Sequence, residues 1–181
     1  LAAIAKANIA LINNAQREHQ EFMATVAAVA EEHSAAIKAL PKDGVAVFPA
    51  DSEFSNVWHQ AAAGRKIMDF VLLSGASSAK ASVTGRLLND GQVQVQSEQG
   101  VIEIRLNTLG SHNVRNALAA SAVALAAGIS LEKIKQGLEA FVPVNGRMQA
   151  KHVDASTTGR IETSFLLIID IQTPQTDKSV S

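Results

Sequence analysis

Four apolar residues in a row, Ile9 to Ile12, stop at Asn13 and Asn14, the pattern of a buried strand that ends at a polar turn. From about 17 to 40 the residues Phe22, Val26, Val29, Ile37 and Leu40 approximate one helical face. The alanines between them favour a helix, and Pro41 followed by Asp43-Gly44 ends it. Residues 44–48 form a second short apolar run, with Pro49 expected at its end. Asp51 or Ser52 is placed to cap a helix reaching about Ala63. Beyond Gly64-Arg65-Lys66, residues 67–72 read as a third strand. Alternating strand and helix predicts a parallel sheet with crossover helices.

The pattern changes at Ser74. After the loop residues Gly75-Ala76-Ser77-Ser78 come three segments, 81–88, 92–97 and 101–106, divided by Asn89-Asp90-Gly91 and Glu98-Gln99-Gly100. Val93, Val95, Ile102, Ile104 and Leu106 alternate with polar residues, which predicts a small antiparallel three-strand meander with one wet face. Helical spacing returns over about 113–127, breaks at Gly128, and resumes over 130–141 with Ser130 as cap. Residues 143–146 read as a hinge. The remainder holds one clear apolar run, 165–169, before a polar tail. The fold class expected is α/β, divided into a unit at 1–143 and a hinge with a C-terminal segment at 144–181.

Composition narrows the function. Of 181 residues 47% are hydrophobic and 18% charged, which supports a packed core. The formal net charge of −1 gives no basic surface for nucleic acid. No cysteine is present, so disulfides and thiolate metal sites are excluded. No leader pattern precedes the first apolar run, and the strongest apolar stretch, 117–127, is shorter than the roughly 20 residues a membrane span needs. A cytoplasmic protein with no membrane span is expected.

The stretch Gly110-Ser111-His112-Asn113-Val114-Arg115-Asn116-Ala117-Leu118-Ala119-Ala120 carries the candidate chemistry. It is a loop-to-helix junction: Gly110 permits a tight turn, and the first helical turn leaves backbone N–H groups unpaired. Asn113 and Asn116 are three apart, on one side of the helix start. Two readings stand. His112 and Asn113 cap the helix, or the amides read a nucleobase edge through paired donors and acceptors.

This stretch resembles the G-x-H-N-x-x-N-A-L-A-A signature of the Mur ligase family. Other segments agree in order: Asn13-Asn14 followed by His19 and Glu21; Leu40-Pro41 through Gly44 to Val47; Asp51; and Val144-Asn145-Gly146-Arg147. The resemblance implies part of the family's ATP-binding central domain. It also implies a reaction in which ATP activates a UDP-linked muramoyl tripeptide carboxylate and the amine of D-alanyl-D-alanine attacks it, giving an amide, ADP and phosphate. His112, Asn113 and Asn116 match residues lining the adenine pocket. Arg147 matches a hinge arginine that contacts nucleotide, the other reading being a hinge salt bridge. His19 matches a residue that helps hold Mg²⁺, although imidazole is an unusual ligand for that ion. Asn14 either faces the phosphates or only ends the strand.

Departures from the family pattern are equally informative. No G-x-x-G-K-[ST] occurs in these residues, so the phosphate-cradling loop is expected N-terminal to Leu1. His33 stands where the family often has a carbamoylated lysine, and Pro49 stands where an asparagine is usual. The chain has no tyrosine, and Asp170 is the one candidate for the acid that opens the family's C-terminal domain. Two other readings are a non-catalytic nucleotide- or partner-binding module, and a folylpolyglutamate-synthetase-like ligase. A sheet lacking N-terminal strands is also expected to expose an edge and self-associate.

Overall fold

The computed structural model describes residues 2–15, 25–75, 77–107 and 110–142, and the backbone of 166–169. His19, Arg147, Asp170 and the expected hinge lie outside the described residues. A one-turn helix α1 (Ala2–Ala5) leads into β1 (Ile9–Ile12), then α2 (Val26–Lys38), β2 (Val45–Pro49), α3 (Ser55–Ala61) and β3 (Lys66–Leu73). There follow β4 (Val83–Leu87), β5 (Val93–Ser97), β6 (Gly100–Ile104), α4 (Ser111–Ala126), α5 (Leu131–Ala140) and β7 (Leu166–Ile169).

All seven strands form one sheet in the order β6-β5-β4-β3-β2-β1-β7. The first three strands are parallel, joined by crossover helices as expected, with Ile9 beside Val45 and Val45 beside Lys66. The expected antiparallel meander is present as β4–β5–β6. It is not a separate sheet, because β4 pairs parallel to β3, Phe70 lying beside Val83. Asp69 ties down the return loop: its Oδ1 accepts from the Ser82 backbone N–H at 2.7 Å and from the Ser82 hydroxyl at 2.6 Å. The apolar run 165–169 supplies β7, which pairs parallel to β1. Among the described residues the outermost strands are therefore β6 and β7. At β6 the Lys135 ammonium of α5 bonds the Glu103 carbonyl, so part of that edge is covered.

Period-two alternation assigns residues to two cores. Ile9, Leu11, Val45, Val47, Met68 and Phe70 face α4 and α5 with Val83, Val93, Val95 and Ile104. Ala10, Ile12, Ala46 and Phe48 face α2 and α3. Being buried on both faces explains why β1 and β2 are continuous apolar runs. On the second face the Trp58 indole N–H donates to the Ala30 carbonyl at 3.1 Å, and its ring lies 5.9 Å from that of Phe48. The Arg65 guanidinium clasps the carbonyls of Lys38, Leu40, Pro41 and Ala61, satisfying the acceptors that helix ends leave open.

Three local expectations are corrected. The helix expected over 17–40 cannot run through Thr25, which is extended (φ −144°, ψ 154°) and accepts from the Ala28 N–H, so the described helix starts at Val26. The helix after β2 is shorter than expected, Phe54 occupies its cap position, and neither Asp51 nor Ser52 caps it. Ser52 Oγ instead accepts from the Phe54 N–H at 3.2 Å, closing a turn, and Asp51 is engaged elsewhere. Ser130 does hold the cap position of α5, but its side chain makes no capping bond.

Candidate functional site

Strands β1 to β4 run in one direction, so their carboxyl ends lie along the same side of the sheet. In open α/β sheets that side is where ligands bind. Helix α4 is laid against β1 to β4 with its first turn beside these strand ends. Gly85 makes its close approach possible. A Cβ built there would meet the two Leu118 methyls at 2.6 Å, so only glycine lets α4 sit this near β4.

Gly110 begins the site. It holds φ +101°, ψ 147° as the residue before α4 and contributes no capping side chain. Because Gly110 is the cap, His112 and Asn113 fall inside the first helical turn. The left-handed φ suits glycine and lets the chain enter α4 sharply. His112 is exposed, and Asn113 and Asn116 are half-buried. Val114, Ala117 and Leu118 on the adjoining face are buried and fix the helix rotation.

The structure brings Asn116 to the end of β1. Asn13 Nδ2 donates to Asn116 Oδ1 at 2.9 Å in a partly buried setting. Asn14, the next residue, is half-buried. His112, Asn113 and Asn116 are thus gathered on the first turns of α4, with Asn116 bonded to the strand end that carries Asn14. His19 and Arg147 fall outside the described residues, so their relation to this group stays an expectation. His33 is buried in α2, 5% exposed. Among the described residues no group of three or more His, Asp or Glu residues gathers to hold a metal.

Sequence reasoning missed Arg115. Its guanidinium grips Asp51 through two nitrogens, with Nη1 3.0 Å and Nη2 2.5 Å from Oδ2. This fork-to-carboxylate pair joins α4 to the end of β2. Both side chains are over one-third exposed, so the pair positions the helix more than it stabilises the fold. The only advance signal was that Asp51 and Arg115 each sit within a recognisable segment; nothing local pairs them. Beside them opens a cleft of about 870 Å³ whose lining includes Asp51, Leu72, Ser74, Arg86, Ser111 and Arg115. It borders α4 on the β3–β4 side, whereas Asn116 is bonded to β1.

The arrangement combines helix N–H groups, fixed carboxamides and an adjoining cleft at the carboxyl end of a parallel sheet. These groups suit a polar, planar ligand whose edge carries hydrogen-bonding atoms. No helix among the described residues is long and apolar enough to cross a membrane.

Comparison with known proteins agrees with this geometry. Residues 1–124 match the Mur ligase middle domain. The chain is 33% identical over 147 residues to the UDP-N-acetylmuramoyl-tripeptide--D-alanyl-D-alanine ligase of Buchnera aphidicola subsp. Baizongia pistaciae, covering 81% of this chain and 32% of that protein. Identity to the ligase of the same name from Haemophilus influenzae is 34% over 141 residues, covering 78% and 30%. A crystal structure of MurF from Acinetobacter baumannii superposes with a TM-score of 0.70 at 30% identity, covering 83% of this chain and 34% of that one. The chain spans about a third of the length of the curated relatives it matches.

Proposed function

Because the chain belongs to the Mur ligase family through its middle domain, we propose that it forms the base-binding side of the ATP site in a ligase joining D-alanyl-D-alanine to a UDP-N-acetylmuramoyl tripeptide. The names of the relatives support the choice of substrates. The observation that carries the nucleotide reading is the bond between Asn13 and Asn116, which holds a carboxamide in place on the first turns of α4. A held amide can read a base edge, whereas a solvated one must be ordered by the ligand at an entropic cost.

The residues present fit the base end of a nucleotide. His112, Asn113 and Asn116 would line the adenine, and Asn14 would lie toward the phosphates. Arg147, outside the described residues, would reach the nucleotide from the hinge. ATP would supply the phosphoryl group that activates the tripeptide carboxylate, and the donors of this chain would bind and orient the nucleotide. Magnesium lacks comparable support: its one matching residue, His19, lies outside the described residues, and no step is assigned to it. A cytoplasmic setting goes with these substrates. A second reading, a nucleotide-binding module without catalysis, is favoured by His33, a buried imidazole at the position where the family often carries a modified lysine.

The test is a titration of the ¹⁵N-labelled chain with ADP and, separately, with UDP. ADP should move the side-chain amides of Asn113 and Asn116 and the backbone amide of Gly110, while UDP leaves them in place. Shifts confined to other residues would reject the site.

A further inference from the structure

The meander ends at β6, and α5 lies along its outer edge. In an antiparallel ladder alternate residues turn both backbone groups toward the same neighbour. The Glu103 carbonyl and the Arg105 N–H are bonded to α5 and not to β5, so Val101, Glu103 and Arg105 present the outer edge. The Lys135 ammonium donates to the Glu103 carbonyl. Glu139 Oε1 accepts from the Arg105 N–H at 3.1 Å. Asn107, next in the same period, donates its side-chain amide to the Glu139 carbonyl at 2.7 Å and the Phe141 carbonyl at 3.1 Å. Residues 103, 105 and 107 are thus tied to α5 at the period of two with which a neighbouring strand would bond them.

A strand edge with open N–H and C=O groups is a template for another chain. We propose that Lys135 and Glu139 form an autoinhibitory contact that keeps β6 from pairing, edge to edge, with β6 of a second copy of this chain. This role is independent of the nucleotide site. An antiparallel edge is complementary to its own copy about a twofold axis, and the possible axes are few. An axis at Ile102 sets Val101 of each copy against Glu103 of the other and needs the Glu103 carbonyl, which Lys135 holds. An axis at Glu103 needs the Arg105 N–H, which Glu139 holds, and it also sets like charges face to face. An axis at Val101 avoids both but leaves a single rung, because Gln99 belongs to the turn and gives its N–H to Ser97 Oγ. One rung is shorter than any usual strand pairing. Val101, 53% exposed, is the β-branched side chain that such pairing would cover. The contact is held ready by the fold: Lys135 and Glu139 also bond each other at 3.2 Å, and Leu131 and Ile134 of α5 are buried in the core.

The test uses the whole 181-residue chain and reads hydrogen exchange at the Val101 and Glu103 amides as concentration rises, beside the mass from sedimentation equilibrium. Lys135→Ala/Glu139→Ala removes both guards, keeps the net charge, and places good helix formers in α5. Glu132→Ala/Lys133→Ala is the control: it removes the same charges from exposed positions of α5 that make no bond to β6. In the unaltered chain and the control, exchange at Val101 and Glu103 should not depend on concentration. In the guardless variant it should slow by about tenfold when nine-tenths of the chains are paired, as a dimer mass appears. Adding Val101→Pro to that variant removes an outward N–H that β5 does not use, and edge strands tolerate proline there. The dimer and the protection should both vanish. Circular dichroism confirms folding. Lys135→Met is the second route: it frees only the Glu103 carbonyl, which suffices for the axis at Ile102, and it leaves Glu139 on Arg105.

Concentration-dependent protection at Val101 and Glu103 in either folded variant, abolished by Val101→Pro, supports the proposal. Amides that stay open in the folded variants at every concentration overturn it, since α5 would then only brace the strand. Protection that rises with concentration in the unaltered chain also overturns it, because the contact would not be excluding the second copy. Association that leaves these two amides open belongs to another surface and counts against pairing through β6.

Discussion

Replacing Gly85 with alanine tests how α4 is seated. The added Cβ would stand 2.6 Å from both Leu118 methyls and 3.0 Å from its Cγ, whereas carbon atoms rest at about 3.5–4.0 Å. Leu118 is fully buried, so it cannot swing into solvent. Relief requires α4 or the Leu118 rotamer to shift by roughly 1 Å. Overpacking of this kind costs about 1–3 kcal/mol, set against a gain of about 0.4–1 kcal/mol from a stiffer unfolded chain. Gly85→Ala should therefore destabilise by about 1–2 kcal/mol. Gly137→Ala is the matched control: nothing lies within 4 Å of its Cβ position, and it sits inside α5. There the same substitution should stabilise by about 0.4–1 kcal/mol. Leu118→Ala alone should cost about 2–5 kcal/mol. The pair Gly85→Ala/Leu118→Ala should cost about 1–3 kcal/mol less than the sum, because the clash disappears with the leucine. Urea unfolding followed by the fluorescence of Trp58, the one tryptophan in the sequence, measures all four. Additivity within about 0.5 kcal/mol, or stabilisation by Gly85→Ala, would refute the seating described.

Removing the Arg65 clasp with Arg65→Met strips charged donors from the carbonyls of Lys38, Leu40, Pro41 and Ala61; thermal or urea unfolding should show a loss of about 1.5–3 kcal/mol, with Arg65→Lys recovering part of it. The Arg105 backbone N–H and then the Lys135 ammonium hold the Glu139 carboxyl below its ordinary 4.5. A carboxylate lowered by folding stabilises above its unfolded pKa and loses that contribution as pH falls through the folded value. Hydrogen exchange at the Arg105 amide should therefore accelerate, relative to other sheet amides, only below about pH 4.5, and Glu139→Gln should remove the pH dependence. Mixed with ATP, Mg²⁺, UDP-N-acetylmuramoyl tripeptide and D-alanyl-D-alanine, the 181 residues alone should release no phosphate, since they contain no G-x-x-G-K-[ST] sequence. Turnover in a coupled phosphate assay would contradict that.

The local geometry of the candidate site was legible because its signals are local. A glycine before a helix, amides in the first turn and a polar stop after β1 each depend on residues a few positions apart, and backbone sterics and helical spacing act over that range. What remained hidden was the set of pairings across the fold. Asn13 with Asn116, and Asp51 with Arg115, are ordinary polar residues until β1, β2 and α4 are packed together. Asp51 illustrates the difference: as sequence it was a candidate cap, and the tertiary contact with a guanidinium took it for another purpose.

The sequence alone indicated the strand–helix alternation from β1 to β3, the three-strand meander, the two later helices and the position of the candidate ligand-facing turn. Those follow from periodicity, since a run of apolar residues or a 3.6-residue stripe requires burial of a particular shape. Tertiary structure decided that the meander joins the parallel sheet through β3 and β4, that β7 lies beside β1, and that Asn13 meets Asn116. The physical reason is common to all three. Edge-to-edge pairing and amide contacts are chosen by partners far away in the chain, and a hydrogen-bonding group carries no mark of its partner until packing brings the two together.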